Sequence, residues 1–527
     1  MNKKRPNVIV FMSDQQRYDT LGCTGNPVIQ TPNLDRLAQE GIRFDRSYAS
    51  SPVCMPSRAA VLTGRYPKNC GAWHVGVPLP ESEPTAADYF KSAGYSTVAI
   101  GKMHLTNFHQ MSDQGSGHIE SVHRNKGFEP EYVDNFWRNF NGPYFGFEKI
   151  RLVLQHGNRT VGGGHYDLWL RDNHPDAVDL LDPEHALTPL TGAMQSWKAS
   201  MPKELHFSNW IADETVEYLN EHTREHAEQP FFMLCSFPDP HHPMCPPAPY
   251  CDMYNPKDVP IPVPNRGELE NMPPHHQKYY RGEVIETRLN MASHIYKTRG
   301  IAGTVGGDYP LCDMPEEHLR EMIAHYYGLI TLMDEAIGRV LNTLDQLGLS
   351  DDTIIVFNSD HGDLMGDHGL AFKGPFHYES IVKIPTIWRW PGHIQPNEAT
   401  NALMSHVDVV PTLLDACDID IPAGVQGVSQ LPVLKGQTDT CRSWALVEHR
   451  ENVGELQTKT LVTDRYKLTY YPAEPYGELF DLVADPKEYN NLWNSPKHHD
   501  LQSQLVKQLL EVQCLTEDPL PERIGYA

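Results

Sequence analysis

The chain has 527 residues, 68 acidic against 44 basic side chains, a formal net charge of −24, 40% hydrophobic and 21% charged residues. That composition fits a globular protein with a large core and room for a smaller second domain, and excludes a disordered or fibrous chain. The acidic balance argues against a broad nucleic-acid or anionic-membrane surface, which needs clustered cations, but leaves open a small anionic substrate in a locally positive pocket.

Along the chain, the basic tip Met1 to Pro6 leads into a short apolar run, Val8 to Met12. It is too short for a signal peptide or a membrane span, so the chain as given is expected to be cytoplasmic, or exported if a leader was removed. The first strand is predicted at Asn7–Met12, and others at Thr97–Ile100, Phe231–Ser236, Thr353–Asn358 and Ile384–Trp388. These runs have the length and β-branched content of buried strands. Helices are predicted from Pro32, with Thr31 as N-cap and Gly41 near its end, and over Glu316 to Leu347. Strands alternating with helices give an α/β class, a mostly parallel sheet flanked by helices.

Residues 105–225, rich in Gly, His, Asn and Trp, and the proline-rich stretch 240–315 read as insertions that shape a substrate pocket. Within the first, Trp137, Arg138, His165, Tyr166, Trp169 and His174 are candidates for sugar contacts or for core packing. Strand-like segments at Trp444–Val447, Thr460–Val462 and Lys467–Tyr471, then a helix over His499–Val512, predict a smaller C-terminal α+β domain. The division is placed at 1–435 and 436–527. The tail, Pro519 to Ala527, is either a disordered end or a contact with a second subunit. Ten scattered cysteines without a C-x-x-C pair indicate neither a disulfide framework nor a zinc site. The sequon Asn158-Arg159-Thr160 matters only in a secreted chain.

Four of the apolar runs are followed by chemically useful groups: Asp14 and Gln15, Lys102 and His104, His241, and Asp360 and His361. In open α/β sheets ligands bind beyond the carboxyl ends of the strands, so these groups are expected to converge. The sharpest local pattern is Cys54-Met55-Pro56-Ser57-Arg58, followed by Thr63-Gly64-Arg65. Pro56 suits a first helical turn and Gly64 a helix end, which places Cys54 just ahead of a helix N-terminus, where free N–H groups favour anions. Arg58, one turn in, is positioned to hold such an anion. The plain alternative is a buried structural cysteine. A Cys-x5-Arg phosphatase loop fails because position 60 is Ala60, and a nucleotide P-loop fails at Gly94 to Gly101 and Met103.

C-x-P-S-R followed by T-G-R resembles the signature of the sulfatase family, in the alkaline phosphatase superfamily. Four fixed residues occur by chance in roughly one chain of this length in several hundred. The resemblance runs from Asn7-Val8-Ile9-Val10 to Glu478-Leu479-Phe480-Asp481-Leu482 and is densest in residues 7–104 and 320–390. It implies an alkaline-phosphatase-like fold and oxidation of Cys54 to formylglycine by a separate maturation enzyme. It also implies a divalent-cation site made by Asp14, Gln15, Asp360, His361 and the matured Cys54. Calcium is expected ahead of magnesium or manganese, although Gln15 stands where many members carry a second Asp. Lys102 and His104 match the Gly-Lys-x-His segment, Lys373 the later sulfate-binding lysine, and His241 the Pro-His-x-Pro loop, where His242 remains an alternative. Asp363, Asp367 and His368 are expected to support the site or its loop.

The implied reaction is hydrolysis of a sulfate monoester of a saccharide or aryl alcohol. The hydrated aldehyde attacks sulfur, Lys373 and His241 stabilise the leaving oxygen, and His104 takes the proton that lets sulfate depart; Arg58 and Lys102 orient the diol and the anionic oxygens. Two other readings stay open. One is a phosphonate monoester or phosphodiester hydrolase, to which Ala248-Pro249-Tyr250 and Tyr327-Gly328-Leu329-Ile330-Thr331 bear likeness. The other is a silent sugar-binding relative. A sulfated small molecule or saccharide is the expected partner, with no nucleic acid or membrane, and a homo-oligomer is possible on this reading.

Overall fold

The computed structural model describes residues 5–108, 118–124, 128–262, 267–281, 313–396, 398–450 and 456–518. Nine strands form the large sheet: β1 (Asn7–Ser13), β2 (Ile42–Tyr48), β3 (Ser96–Gly101), β4 (Lys149–Leu152), β5 (Phe231–Ser236), β6 (Thr353–Ser359), β7 (Lys383–Ile384), β8 (Thr386–Arg389) and β9 (Glu398–Ser405). Their order is β4-β3-β5-β1-β6-β8-β2-β7, with β9 also paired to β2. β1 runs parallel to β5 and β6, and β3 parallel to β5 and β4. β8 is antiparallel to both β6 and β2, so β2 points the same way as β1. The carboxyl ends of β1 to β6 therefore share one edge. The fold is the expected helix-flanked, mostly parallel α/β sheet.

Alternation along the strands feeds two hydrophobic layers. Val8, Val10, Phe232, Leu234 and Val356 face the Cys54–Thr63 and Val409–Ala416 helices through Val61, Leu62, Val410 and Leu413. Ile9, Phe11, Met233, Ile355 and Phe357 face Trp210, Leu219, Ile337 and Leu341 of the Phe207–Glu225 and Glu316–Gln346 helices.

The structure corrects several sequence expectations. The strand expected over Ile384–Trp388 is split at Pro385, which has no N–H to donate, into β7 and β8. Thr31 occupies the N-cap position of the Pro32–Gln39 helix, but its hydroxyl donates to Asp35. The free N–H groups of Asn33 and Leu34 are taken instead by the Asp334 carboxylate, at 3.1 and 2.8 Å. Within residues 105–225, β4 and the Pro130–Asn139, Gly164–Asn173 and Phe207–Glu225 helices are set between longer irregular stretches. Trp137 and Tyr166 are core residues, His165 is bonded to the backbone of Leu152 and Phe140, and Arg138 pairs with Asp172. Packing accounts for Trp137, Tyr166 and His165, whereas Arg138 lies at the surface in its ion pair. Asn158 of the sequon is half-buried and donates to Asp182. The nine described cysteines are all free. Among the described residues no helix is long and apolar enough to cross a membrane. The tail Pro519–Ala527 lies outside the described residues.

A second sheet, β10 (Ala445–Arg450), β11 (Gln457–Val462), β12 (Tyr466–Tyr470) and β13 (Gly477–Asp481), is antiparallel throughout. Leu446, Leu461, Leu468 and Leu479 on one face pack against Leu505, Leu509 and Val512 of the His499–Leu515 helix. On the other face Ala445, Val447, Val462 and Phe480 pack against Tyr48, Leu364, Phe376 and Ile381 of the large domain, and buried polar pairs accompany that apolar contact. Buried Lys467 bridges Glu379 and Glu488, and Glu478 accepts a 2.5 Å hydrogen bond from Tyr471.

Burial, reinforced by Glu488, pushes the Glu478 carboxyl from 4.5 up to about 7. A folded value above the unfolded one means stability that is complete below about pH 4.5 and is lost as pH rises through about 7. At about 1.4 kcal/mol per pH unit the loss is roughly 3 kcal/mol. Glu478→Gln keeps an acceptor for Tyr471 and is expected to abolish that part of the slope between pH 5 and pH 8. Urea denaturation of the two proteins at both pH values checks this; parallel pH dependences would contradict it.

Candidate active site

Six strand ends deliver the side chains. Asp14 and Gln15 leave β1, Asp360 and His361 leave β6, Lys102 and His104 leave β3, and the loop after β5 carries His241. The loop after β2 leads to Cys54, which is itself the first residue of the Cys54–Thr63 helix, with Val53 as N-cap, rather than lying ahead of it. Gly64 closes that helix at φ 67°, a left-handed position suited to glycine. The loop after β4 adds His156, which no sequence pattern had indicated.

Cys54 is 3% exposed, and its Sγ lies 3.6 Å from Lys373 Nζ. The ammonium also sits 2.9 Å from His241 Nε2 and 3.2 Å from His361 Nε2. Burial opposes ionisation of the Cys54 thiol, but Lys373 and a hydrogen bond with His361 carry it below its ordinary value. The Nδ1 atoms of His361 and His241 face the carbonyls of Gly362 and His242, at 2.8 and 2.5 Å. With Nδ1 as donor, each ring turns an Nε2 lone pair into the site.

Asp14, Asp360 and His361 each offer one ligand atom, all within 4.8 Å of one another. Asp14 Oδ1 and Gln15 Oε1 are buried without a hydrogen-bond donor. Buried acceptors without donors are uncommon, and hard oxygen ligands completed by one imidazole nitrogen suit a divalent cation. The residues present thus fit such an ion. Gln15 is held at φ 66°, a costly conformation for a residue with a Cβ. Tyr326 secures it by donating to the Gln15 carbonyl at 2.7 Å while accepting from Arg17 N–H at 2.9 Å. The Gln15 amide bonds Asp363 and lies 3.0 Å from His242 Nδ1. Asp363 supports the loop, accepting from Met365 and Phe372 N–H, whereas Asp367 pairs with Arg17 and His368 with Glu268.

Arg58 departs from the expectation that it grips the substrate anion. Its Nε donates to Asp360 Oδ2 at 2.7 Å, Nη2 to Asp14 Oδ2 at 2.9 Å, and Nη1 to the Lys102 carbonyl and Ser236 Oγ at 2.9 Å each. Lys102, fully buried, donates to the same Asp14 oxygen at 2.6 Å. Both cations are thus engaged by carboxylates and fix the cradle, since breaking either pair strands a buried charge. Although burial opposes it, Lys102 and Arg58 hold the Asp14 carboxyl well below the usual carboxylate range.

His104 stacks on Phe108 at 4.1 Å, and its Nδ1 is buried without a partner. Glu120 anchors its loop by accepting the N–H groups of His104, Leu105 and Thr106. Burial, then Lys102, lowers the His104 ring to about 3, so it is neutral. His241 and His242 both reach the site, with His156 against them at ring separations of 3.5 and 6.2 Å. Burial first, and neighbouring positive groups second, hold all three well below the ordinary imidazole value.

The profile of the Sulfatase family matches residues 6–419, and that described as N-sulphoglucosamine sulphohydrolase, C-terminal, matches residues 366–514. The chain is similar to an arylsulfatase of Clostridium perfringens, 32% identical over 514 residues, covering 96% of this chain and 94% of the relative. It is also similar to an N-acetylglucosamine-6-O-sulfatase of Bacteroides thetaiotaomicron, at 27% identity with 98% and 88% covered. Among solved structures, a phosphonate monoester hydrolase of Agrobacterium radiobacter superposes with a TM-score of 0.78 at 25% identity, over 98% of this chain and 96% of that one.

Proposed function

The chain belongs to the sulfatase family, and from that premise we propose that it cleaves a sulfate monoester of a saccharide or aryl alcohol at a formylglycine made from Cys54. The observation that carries this reading is the meeting of Cys54 Sγ with Lys373, beside His361 and the two carboxylates of the cation cradle. The names of the relatives, an arylsulfatase and an N-acetylglucosamine-6-O-sulfatase, support the substrate class.

Asp14, Gln15, Asp360 and His361 would hold the divalent ion, calcium in this reading, and the ion supplies Lewis-acid polarisation of a sulfuryl oxygen when bound. The aldehyde at position 54 supplies, once hydrated, a nucleophile with a built-in exit for sulfate. Arg58 orients Asp14 and Asp360, and Lys102 and Arg58 together keep Asp14 ionised, which makes both cations positioning residues. Lys373 and His241 lie together, so the ammonium can neutralise the leaving oxygen while the imidazole relays a proton to it. His104, whose loop Glu120 anchors through three backbone N–H groups, is the proposed acceptor of the proton released when position 54 is regenerated.

The phosphonate reading keeps one specific support, the 0.78 TM-score to a phosphonate monoester hydrolase. Side-by-side kcat/KM values for 4-nitrophenyl sulfate and a 4-nitrophenyl phosphonate monoester distinguish the two. Sulfate turnover is expected to be the faster, by about tenfold or more, corresponding to ~1.4 kcal/mol. A faster phosphonate reaction would reverse the assignment.

A further inference from the structure

Arg159 stands apart from the other arginines near the site. It sits in the Gly157–Thr160 turn directly after His156 and is half-buried; its backbone N–H donates to the His156 carbonyl at 3.1 Å, but its guanidinium has no hydrogen-bond or ion-pair partner among the described residues. Burial alone acts on its guanidinium, with no neighbouring carboxylate to offset it. Arg17, Arg58, Arg124 and Arg151, by contrast, each face an acidic side chain. A guanidinium drawn partly out of water without a counter-charge is costly, and that cost is recovered if a ligand brings the anion.

The turn is fixed and lies beside the reacting groups. Gly157 packs on Pro243, so close that a Cβ there would lie 2.6 Å from the proline ring. His156, whose Nδ1 is buried without a partner, touches the His241 ring. Thr160 Oγ1 donates to the Gly157 carbonyl at 2.8 Å and Asn158 donates to Asp182 at 2.8 Å, so Arg159 projects from a turn that is already braced. His241 is the group assigned above to the departing oxygen. A charge on the Arg159 side therefore belongs to the leaving alcohol and not to the sulfur being attacked.

Resting on the sulfatase reading, we propose that Arg159, with His156 beside it, forms a subsite for a second anionic group, a carboxylate or another sulfate, on the alcohol portion of the substrate. The substrate class narrows accordingly to doubly anionic esters. The planar guanidinium offers paired donors matched to either oxyanion, and a braced turn loses little freedom on binding.

Calorimetric binding to the full, unmatured Cys54 protein in calcium buffer tests this with phenyl sulfate, 2-carboxyphenyl sulfate and 3-carboxyphenyl sulfate. At least one carboxylated probe is expected to bind about tenfold more tightly than phenyl sulfate. Arg159→Ala should erase that gap while leaving the Kd of phenyl sulfate within about twofold, and Arg159→Lys should restore part of it. Equal affinity of all three probes for the wild type overturns the subsite. So does a gap that survives Arg159→Ala, or an equal weakening of every probe in both variants at unchanged Tm. Turnover of phenyl sulfate by the matured enzyme is a separate readout, so a failure of the catalytic assignment is distinguishable from a failure of the subsite.

Discussion

Replacing Cys54 with alanine is expected to lower kcat on an aryl sulfate by about 10^4-fold or more, while fold and cation affinity survive. The side chain is small and buried at the start of its helix, and the residues of the cradle hold one another without it. Alanine removes the reacting atom and little else. Peptide mapping of the wild type around residue 54 should show an aldehyde in place of the thiol, with specific activity rising in proportion to the converted fraction. Activity independent of that fraction, or retained in Cys54→Ala, would remove residue 54 from the chemistry.

The second large effect falls on Asp14. Its Oδ2 is shared by Arg58 and Lys102, both buried, and its Oδ1 is one of the two unpartnered oxygens of the cradle. Asp14→Asn removes the charge but keeps the shape, turning an amide group toward two cations. Stability at pH 7 in the presence of a chelator is expected to fall by about 3–5 kcal/mol, the cost of stranding buried charge. The difference has a defined pH dependence. Asp14 is held well below its ordinary 3.8, so its contribution is complete above that value and fades only as pH falls further. Urea midpoints of the two proteins should therefore converge in strong acid and separate toward neutrality. Activity in the presence of excess calcium should drop about 10^3-fold, because a ligand and its orientation are lost together. A variant with wild-type stability at pH 7 would show that Arg58 and Lys102 do not depend on Asp14.

The buried centre of the molecule was legible in the sequence because β1, β3 and β6 are short β-branched runs between turns, and β5 is an equally short, wholly buried run of Phe, Met and Leu. β2 escaped for the opposite reason. Ile42 to Tyr48 carries Arg43, Asp45 and Arg46, whose charges are met by Asp45, Arg43 and the Thr463 carbonyl, and a strand with paired charges looks like loop. β4 is four residues long, too short for a period to register, and His156 vanished with it. Local spacing put Arg58 one turn from Cys54, which is right, but could not reveal that Asp14 and Asp360, distant in the chain, absorb its donors. Charge pairing across hundreds of residues is a property of the sheet's order and not of any window of sequence.

The Arg58 fork has a further thermodynamic meaning. Around the cradle two carboxylates, Asp14 and Asp360, face three cations, Arg58, Lys102 and Lys373. On the proposed reading a metal ion arriving alone would join a cavity that already leans positive, and an ester arriving alone would leave its sulfuryl oxygens short of a counter-ion. Taken up as a pair, each would supply what the other lacks, and by linkage any tightening of one by the other would be returned by the same factor.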